Sequence, residues 1–500
     1  MALFGKGVGP ICAVVAASTA SGMFHQLRVA LKSTPTVELR LDWLKSDAER
    51  LRFLRRLRKR VSRTATFLAT CRRKEGGGKF TGDIARQLYW LNQARAAGCK
   101  WCDVEMETFR ELPEGFLRAY PVPPRILLSI HDFERMPKLP KKIVVSRHGQ
   151  VDAVKIAAQA KTIADSVRLL KLARRSRNLV AVPMGMVGLP ARLLALREGS
   201  ELAYAPVAEA TAPGQVALKD MIQLYRSHLL TRGTLVYGVI GDPIGHSLSP
   251  VLHNTGFATH RLNAVYLPFL VDQLGDFLKA VPDFGIKGFS VTVPHKQAIL
   301  KHLKECEPLA AEIGAVNTVV VRRDGSLYGC NTDYLGVLRA LEPKMRIEDS
   351  RVLIFGAGGS ARAAAFALAR AGAKVCICAR RENAAKQLAR AVGGDAVPRS
   401  ALRTQSFDAI LNATPVGMHP EEGISPLSAH ELQCRIVMDL IYRPERTKLL
   451  GIAAQKGIAT VSGVNMFLAQ GFAQWEIWTG KRAPEAAMRR AVLSALRWRS

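Results

Sequence analysis

Lys155 stands in the run Ala153-Val154-Lys155-Ile156-Ala157, apolar on both sides. An ammonium is expensive to bury in such a setting. Burial and neighbouring arginines both favour the neutral amine, the form that attacks a ketone and forms an imine. A lysine that only snorkels from a strand is the plainer alternative. A protonated imine is an electron sink that acidifies the adjacent carbon. His131, in Ser129-Ile130-His131-Asp132-Phe133, is the candidate to remove that proton and later protonate a leaving hydroxyl. Glu75 is the candidate to orient the histidine, and Arg192 to clamp a carboxylate with two parallel N–H bonds.

Further along, Phe289-Ser290-Val291-Thr292-Val293-Pro294-His295-Lys296 ends in a lysine, and Gly329-Cys330-Asn331-Thr332-Asp333 ends in an aspartate. A lysine and an aspartate converging on one hydroxyl can shuttle the proton that accompanies hydride transfer at its carbon. Ser247 and Ser249, one residue apart in a turn rich in Gly and Pro, can aim two hydroxyls at one anion. The cofactor for such a transfer has its own signature. Val352-Leu353-Ile354-Phe355 runs into Gly356-Ala357-Gly358-Gly359-Ser360-Ala361 and then an alanine-rich helix. Gly356 permits the tight bend, Gly358 lets backbone approach a pyrophosphate, and Ala361 lets helix pack on strand, with the N–H groups of the helix start facing the anion. A second strand, Lys374 to Cys378, ends in Arg380-Arg381, where an acidic residue would accept from a free 2′-hydroxyl. Two arginines favour a 2′-phosphate instead, so NADP is expected rather than NAD.

The elements that must position these residues show in the patterning. Apolar runs recur at Ile11–Ala16, Val37–Leu41, Thr66–Cys71, Trp101–Glu105, Ile126–Ile130, Ala153–Ile156, Leu179–Pro183 and Leu202–Ala205, with helical stretches between them. Alternating strand and helix implies a parallel sheet, and this number of units fits a closed (β/α)8 barrel, whose active site lies at the C-terminal strand ends. Glu38, Arg40, Arg72, Glu75, Asp103, Glu105 and His131 all fall there. A new strand begins at Leu235 with almost no linker, followed by the glycine-turn fold. The α/β chain is therefore expected to divide into a barrel at 1–230, a substrate-binding domain at 231–340 and a Rossmann domain at 341–500, whose C-terminal helix returns to the substrate domain.

Composition limits the alternatives. The chain has 500 residues, 48% of them hydrophobic, and no uninterrupted apolar run long enough to span a bilayer. The short stretch before Ile11 leaves no room for a secretory or transit leader, so the cytoplasm is expected. Nine cysteines, scattered and odd in number, read as reduced thiols, and Cys99-x-x-Cys102 without a second pair does not read as a metal site. No metal is expected. The net charge is +31, densest from Arg50 to Arg63, where Leu54, Leu57 and Val61 recur at helical spacing and assign the arginines to the solvent face of a packed helix.

Two resemblances follow. Glu38-Leu39-Arg40, Thr70-Cys71-Arg72 with Glu75-Gly76-Gly77, Asp103-Val104-Glu105, Ser129 to Phe133, Val154-Lys155-Ile156 and Ala212-Pro213-Gly214-Gln215 together resemble type I 3-dehydroquinate dehydratase across residues 10–228. The resemblance implies Lys155 as imine-forming lysine, His131 as general acid/base with Glu75 beside it, and Arg192 on the substrate carboxylate. It also implies Glu38, Arg40, Arg72, Thr211 and Gln215 around the ring hydroxyls. The spacing from arginine to Glu75 is short, so Arg73 is an alternative to Arg72. Residues 235–480 are similar to shikimate dehydrogenase, on the serine turn, the Lys296 and Asp333 motifs, Ala315-Val316-Asn317-Thr318, the glycine turn, Asn412 to Met418, Asp439 to Pro444 and Gln470-Gly471. That family pairs a substrate domain with a Rossmann domain. It implies Ser247 and Ser249 on the carboxylate; Thr292, Asn317, Tyr442 and Gln470 on the substrate; Lys296 and Asp333 as the catalytic pair; and Thr414, Met418 and Gly463 with Gly356–Ala361, Arg380 and Arg381 at NADP.

The two halves match consecutive steps, from 3-dehydroquinate through 3-dehydroshikimate to shikimate, so a bifunctional enzyme of aromatic amino-acid biosynthesis is expected. Its partners would be those small molecules, with no membrane or nucleic acid; the oligomeric state is left open. The alternatives are a catabolic quinate/shikimate dehydrogenase using NAD, and a basic nucleic-acid-binding protein on retained enzyme folds. The complete polar sets in both halves, and the lack of base-stacking aromatics beside the charge, argue against the latter.

Overall fold

The computed structural model describes residues 9–59, 64–112, 125–143, 151–208 and 214–499. The eight apolar runs are eight strands: β1 (Ile11–Val15), β2 (Thr36–Arg40), β3 (Thr66–Thr70), β4 (Trp101–Glu105), β5 (Arg125–Asp132), β6 (Ala153–Gln159), β7 (Leu179–Met184) and β8 (Ala203–Pro206). They form one sheet in the order β7-β6-β5-β4-β3-β2-β1-β8, parallel throughout. The seam between β7 and β8 is closed by other means. The Glu201 N–H donates to the Leu179 carbonyl at 2.9 Å. The buried Ser200 hydroxyl accepts from the Ala181 N–H at 3.0 Å and donates to the Leu202 carbonyl at 2.9 Å.

Strand alternation fills the interior in layers. Leu68, Trp101, Leu127 and Ala153 pack with Cys12, Val14, Val180, Leu202 and Tyr204 as an apolar plug. Two residues on along β3, β4, β5 and β6 come Thr70, Asp103, Ser129 and Lys155, all buried. The same period that seals the barrel thus presents polar side chains above the seal.

The basic stretch is a helix over Asp47–Arg58, shorter than the charged block itself, capped by Ser46 and burying Phe53, Leu54 and Leu57. Arg60 and Val61 lie outside the described residues. Arg52, Arg55, Arg56 and Arg58 are exposed. The barrel's compact unit also takes in Pro268–Gly285. There the helix Leu274–Phe284 meets the helix Ile163–Arg175 through a 2.8 Å Lys171–Asp283 ion pair, and Arg174 and Arg197 donate to its C-terminal carbonyls of Asp283 and Phe284 at 2.6 and 2.8 Å. A helix end leaves its last carbonyls unpaired and partly negative, so two arginines there satisfy both needs.

The second unit comprises Val236–Leu267 and Ile286–Ser500. Its first sheet is built from β9 (Leu235–Gly241), β10 (Ala264–Leu270), β11 (Ile286–Val291), β12 (Glu305–Cys306), β13 (Thr318–Val321) and β14 (Leu327–Cys330), in the order β10-β9-β11-β13-β14-β12. The other contains β15 (Arg351–Phe355), β16 (Lys374–Cys378), β17 (Asp395–Ala396), β18 (Phe407–Asn412), β19 (Cys434–Asp439) and β20 (Ala459–Val461). Its order is β17-β16-β15-β18-β19-β20, all parallel, which is the doubly wound dinucleotide-binding arrangement. By its contacts the chain divides in two, and both of these sheets fall in the second unit. The helix Gly463–Thr479 shows how. After β20 it runs back to the first sheet, where Gln474 and Trp478 donate to the carbonyls of Asn317 and Val319 at 3.2 and 3.0 Å.

Ser200→Ala tests the barrel seam. It strands the buried Ala181 N–H, and leaving such a group unpaired costs about 1–3 kcal/mol. Denaturant unfolding of the barrel should shift by that amount, and an unchanged midpoint would mean the seam does not depend on the hydroxyl.

Candidate active sites

Lys155 comes from the middle of β6 and points into the polar layer, where it is 4% exposed. Its Nζ donates to Asp103 on β4 and stands 3.8 Å from Glu38 on β2. Asp103 also accepts from Ser129 at 2.6 Å and from Arg72 at 3.4 Å, and Glu38 accepts from Thr70 at 2.7 Å. The expectation that arginines border the lysine is therefore corrected: its nearest charged partners are carboxylates, and Arg72 reaches the cluster through Asp103. Burial alone would push the Asp103 carboxyl up, but Lys155 and Arg72 hold it well below the usual carboxylate range. Arg72 is buried against Asp103, while Arg73 has its main-chain N–H on Glu105 at 3.0 Å. The Arg72 Nε is buried without a partner among the described residues.

His131 ends β5, its ring stacked on Phe133 with centroids 5.9 Å apart. Burial first, then the cations of Arg72 and Lys155, push its imidazole well below the ordinary 6.5. Such a ring is neutral at pH 7 and free to accept a proton. The structure does not bring Glu75 to it. Glu75 is exposed on the single turn Lys74–Gly76, because the left-handed Gly77 (φ 77°) turns the chain outward there. The buried carboxylate under that loop is Glu105, which burial pushes up and which accepts from Gln87 at 2.5 Å.

Arg40 is paired through both oxygens of Asp42, at 2.9 and 2.7 Å. Arg192, on the helix Leu189–Leu194, is buried and gives N–H bonds only to the carbonyls of Pro183 and Gly214, at 3.2 and 3.0 Å. No carboxylate answers its charge among the described residues, and burial pushes it down to about 10. Gln215 follows Gly214 and is half-buried, while Thr211 lies outside the described residues.

In the second unit, Lys296 Nζ donates to Asp333 Oδ2 at 2.6 Å. Asp333 opens the helix Asp333–Leu341, and its Oδ1 accepts from Asn317 Nδ2 at 2.7 Å. Gln470 meets the same Asn317 amide at 3.4 Å. Ser247 and Ser249 stand at the start of the helix Ser249–Thr259, the Ser249 N–H on the Ser247 hydroxyl at 3.2 Å. Thr292 packs where a Cβ on Gly241 would strike its methyl at 2.5 Å. Tyr442 stacks on Phe467, centroids 4.6 Å apart.

The glycine turn is built as a phosphate cradle. Gly356 has φ 127°, and a Cβ there would press on the Ala413 carbonyl at 3.1 Å, whereas a Cβ on Gly358 would meet nothing within 4 Å. Ala357 and Ser360 are half-buried and Ala361 is buried where helix Gly359–Arg370 packs on β15. Gly359 faces Lys296, whose Cδ would be 3.6 Å from a Cβ there, which joins cradle and catalytic pair. Arg380 and Arg381 follow β16, both exposed and neither in an ion pair among the described residues. Thr414 donates to Asn412 at 2.7 Å, Met418 is 46% exposed, and Gly463 is so close to the Ile441 carbonyl that a Cβ would lie 2.4 Å from it. An open cradle, a free helix start and two unpaired arginines fit a phosphorylated dinucleotide.

Sequence reasoning placed Asp103 at the barrel mouth without a task, and assigned nothing to Gln474. The first was visible as an acid at a strand end; the second gave no signal, being one polar residue in an apolar helix.

Family comparisons agree with this division. Residues 11–230 match the model for type I 3-dehydroquinase, 239–319 the shikimate dehydrogenase substrate binding domain, and 463–493 the shikimate 5'-dehydrogenase C-terminal domain. A bifunctional 3-dehydroquinate dehydratase/shikimate dehydrogenase of Arabidopsis thaliana, named as chloroplastic, is 35% identical over 96% of this chain and 83% of that protein. The NADP(+) shikimate dehydrogenase of Bacillus mycoides is 45% identical over 49% of this chain and 92% of its own length. A crystal structure of shikimate dehydrogenase in complex with NADP+ superposes with a TM-score of 0.51 at 36% identity, covering 54% of this chain and 98% of that one. The fold and sites define a lyase barrel joined to a nicotinamide-dependent oxidoreductase. The chain belongs to the bifunctional 3-dehydroquinate dehydratase/shikimate dehydrogenase family.

The lowered His131 has a consequence for pH. Its folded value lies below 6.5, so the ring stays a base as pH falls through 6.5 and is lost only below that. The acid limb of the dehydration rate should fall below pH 6.5, and Arg72→Leu, which removes a cation facing the ring, should move that limb upward. A limb that stays in place would remove Arg72 from the electrostatics of His131.

Proposed function

We propose that the barrel dehydrates 3-dehydroquinate through an imine on Lys155, and that the second unit reduces the resulting 3-dehydroshikimate to shikimate with NADPH at Lys296 and Asp333. The observation that supports the first step is the burial of Lys155 against Asp103 and Glu38 beneath a neutral His131. Lys155 attacks the ketone as the free amine, and Asp103 and Glu38 neutralise the cationic imine that forms. Loss of water gives the imine, His131 removes the proton from the adjacent carbon, and the same histidine then protonates the departing hydroxyl. Arg192 holds the substrate carboxylate, the anion its own surroundings lack. Arg72, Arg40, Glu38 and Gln215 border the ring hydroxyls, and hydrolysis frees the lysine.

In the second unit Ser247 and Ser249 hold the carboxylate, while Thr292, Asn317, Tyr442 and Gln470 take the substrate's hydroxyls. NADPH supplies the hydride. Lys296 donates the proton to the oxygen on which charge develops, and Asp333 keeps that ammonium charged and aimed. The cradle from Gly356 to Ala361, with Thr414, Met418 and Gly463, holds the dinucleotide, and Arg380 and Arg381 hold its 2′-phosphate.

The partners in this reading are small molecules alone. All nine cysteines are free, which suits the reducing cytoplasm. Among the described residues, no helix is long and apolar enough to cross a membrane.

Lys155→Ala should abolish dehydration and leave reduction of added 3-dehydroshikimate intact. Borohydride with 3-dehydroquinate should leave a mass adduct on the Lys155 peptide, and an adduct elsewhere would displace Lys155 from this role. Neutralising Arg380 and Arg381 together should raise KM for NADPH far more than for NADH, since each charge-assisted bond is worth about 1.5–3 kcal/mol. Equal weakening toward both cofactors would place the phosphate elsewhere.

A further inference from the structure

Asn317 presents its amide to Asp333, and what holds that amide in place lies deeper in the unit. Asn317 Oδ1 accepts from the Thr332 main-chain N–H at 2.8 Å. A main-chain N–H can only donate, so the orientation of the amide is settled and Nδ2 must face Asp333. Gln474 is settled in the same way. Its Nε2 donates to the Asn317 main-chain carbonyl at 3.2 Å, and a carbonyl can only accept.

The remaining directions then follow. Gln474 Nε2 donates to the Thr318 hydroxyl at 2.9 Å, and that hydroxyl donates to Asn317 Oδ1 at 2.7 Å. Gln474 Oε1 accepts from the Ser290 hydroxyl at 2.8 Å. Having given its proton, Ser290 accepts from the Tyr266 phenol at 2.5 Å. The same phenol is hydrogen-bonded to Ser249. Tyr266, Ser290, Gln474, Thr318, Asn317 and Asp333 are all buried. The chain from Tyr266 through Ser290, Gln474, Thr318 and Asn317 therefore has one sense, every donor pointing toward Asp333, and it starts beside the serine proposed for the substrate carboxylate.

We infer that Gln474 is a positioning residue for reduction: through Thr318 and Asn317 it fixes the amide that donates to Asp333, and with Ser290 and Tyr266 it ties the carboxylate end of the site to the Lys296–Asp333 pair. The inference rests on that pair being the catalytic one. Chains of hydrogen bonds polarise one another, so a run of donors with one sense holds its last amide firmly. Asp333 is thereby held with one oxygen on the Asn317 amide and the other on Lys296. The other titratable groups along the chain do not disturb it. His253 stacks on Tyr266 at 4.4 Å and burial pushes it down to about 3, and Glu307 is engaged by the Asn331 N–H and the Tyr334 hydroxyl.

The test is shikimate oxidation by the full chain with NADP+. Gln474→Met keeps the length of the side chain and removes every donor and acceptor. It should lower kcat by roughly tenfold or more with KM for shikimate and NADP+ little changed. Tyr266→Phe should lower kcat in the same way by less. A kcat identical to the parent, or a loss confined to KM, overturns the inference. If Gln474→Met no longer binds NADP+, and so has not folded, Tyr266→Phe decides by the same criteria. Lys296→Met separates the two levels: retained oxidation there would sink the assignment of the pair itself, whereas its loss with an unchanged kcat in Gln474→Met would sink only the positioning role.

Discussion

An ammonium can sit at the axis of a sealed barrel only if its charge is answered there, and Asp103 is the answer around which the first unit is arranged. The ion pair with Lys155 is taken from water on all sides, so neither partner could stay charged without the other. Removing one would leave the second uncompensated, together with Arg72, which leans on the same carboxylate. Ser129 completes the shell at 2.6 Å. The neutrality of His131 follows as well, since a site already holding two cations disfavours a third. A buried lysine with its charge answered and a neutral histidine beside it thus arise from a single balance of charge.

The second unit meets a similar demand with less burial and more hydrogen bonds. Lys296 and Asp333 form a close pair nearer to solvent, with Lys296 side chain 15% exposed and Asp333 7% exposed. A pair that borders solvent gains less from Coulomb attraction than a dry one. Orientation must then come from neighbours, and the Asn317 amide supplies it on one oxygen of Asp333 while Lys296 occupies the other. The Gly359 position beside Lys296 brings the glycine turn of one sheet against a lysine that follows the other.

The parts of this arrangement that were legible in the sequence are those set by local periodicity. Alternation of apolar runs with helical stretches located all eight barrel strands to within a few residues, and the apolar flanks of Lys155 marked it because a charge inside a strand has few harmless explanations. The glycine turn was legible for the same reason, its geometry being encoded in consecutive residues. What was not legible depends on which strand end faces which. Asp103, Glu105, Glu38 and Glu75 are all acids near strand ends in sequence, and only the register of the closed sheet selects Asp103 for the lysine, while Glu75 lies on an exposed turn beyond β3. Gln474 lies 156 residues from Thr318, so no local pattern could join them. The grouping of 268–285 with the barrel is of the same kind, since it involves Arg174 of a helix and Arg197 of a turn meeting carbonyls far along the chain.

The excess of positive charge also sorts by environment rather than by count. Arg52, Arg55, Arg56 and Arg58 lie on the solvent side of their helix, where water and salt screen them, and they contribute to the field of the molecule more than to any one contact. Arg192 is the opposite case. It has been stripped of water, is offered only two carbonyls, and is pushed down to about 10, so its charged form is held at a penalty until an anion arrives. A carboxylate that meets it removes that penalty and gains two charge-assisted bonds in surroundings of low dielectric. Arg380 and Arg381 stand between these limits, exposed yet unpaired among the described residues, and suited to a phosphate that itself remains partly in water. One buried cation with no carboxylate partner among the described residues therefore says more about charge in the site than the whole surface does, because there the binding free energy is withheld until an anion supplies the other half of the pair.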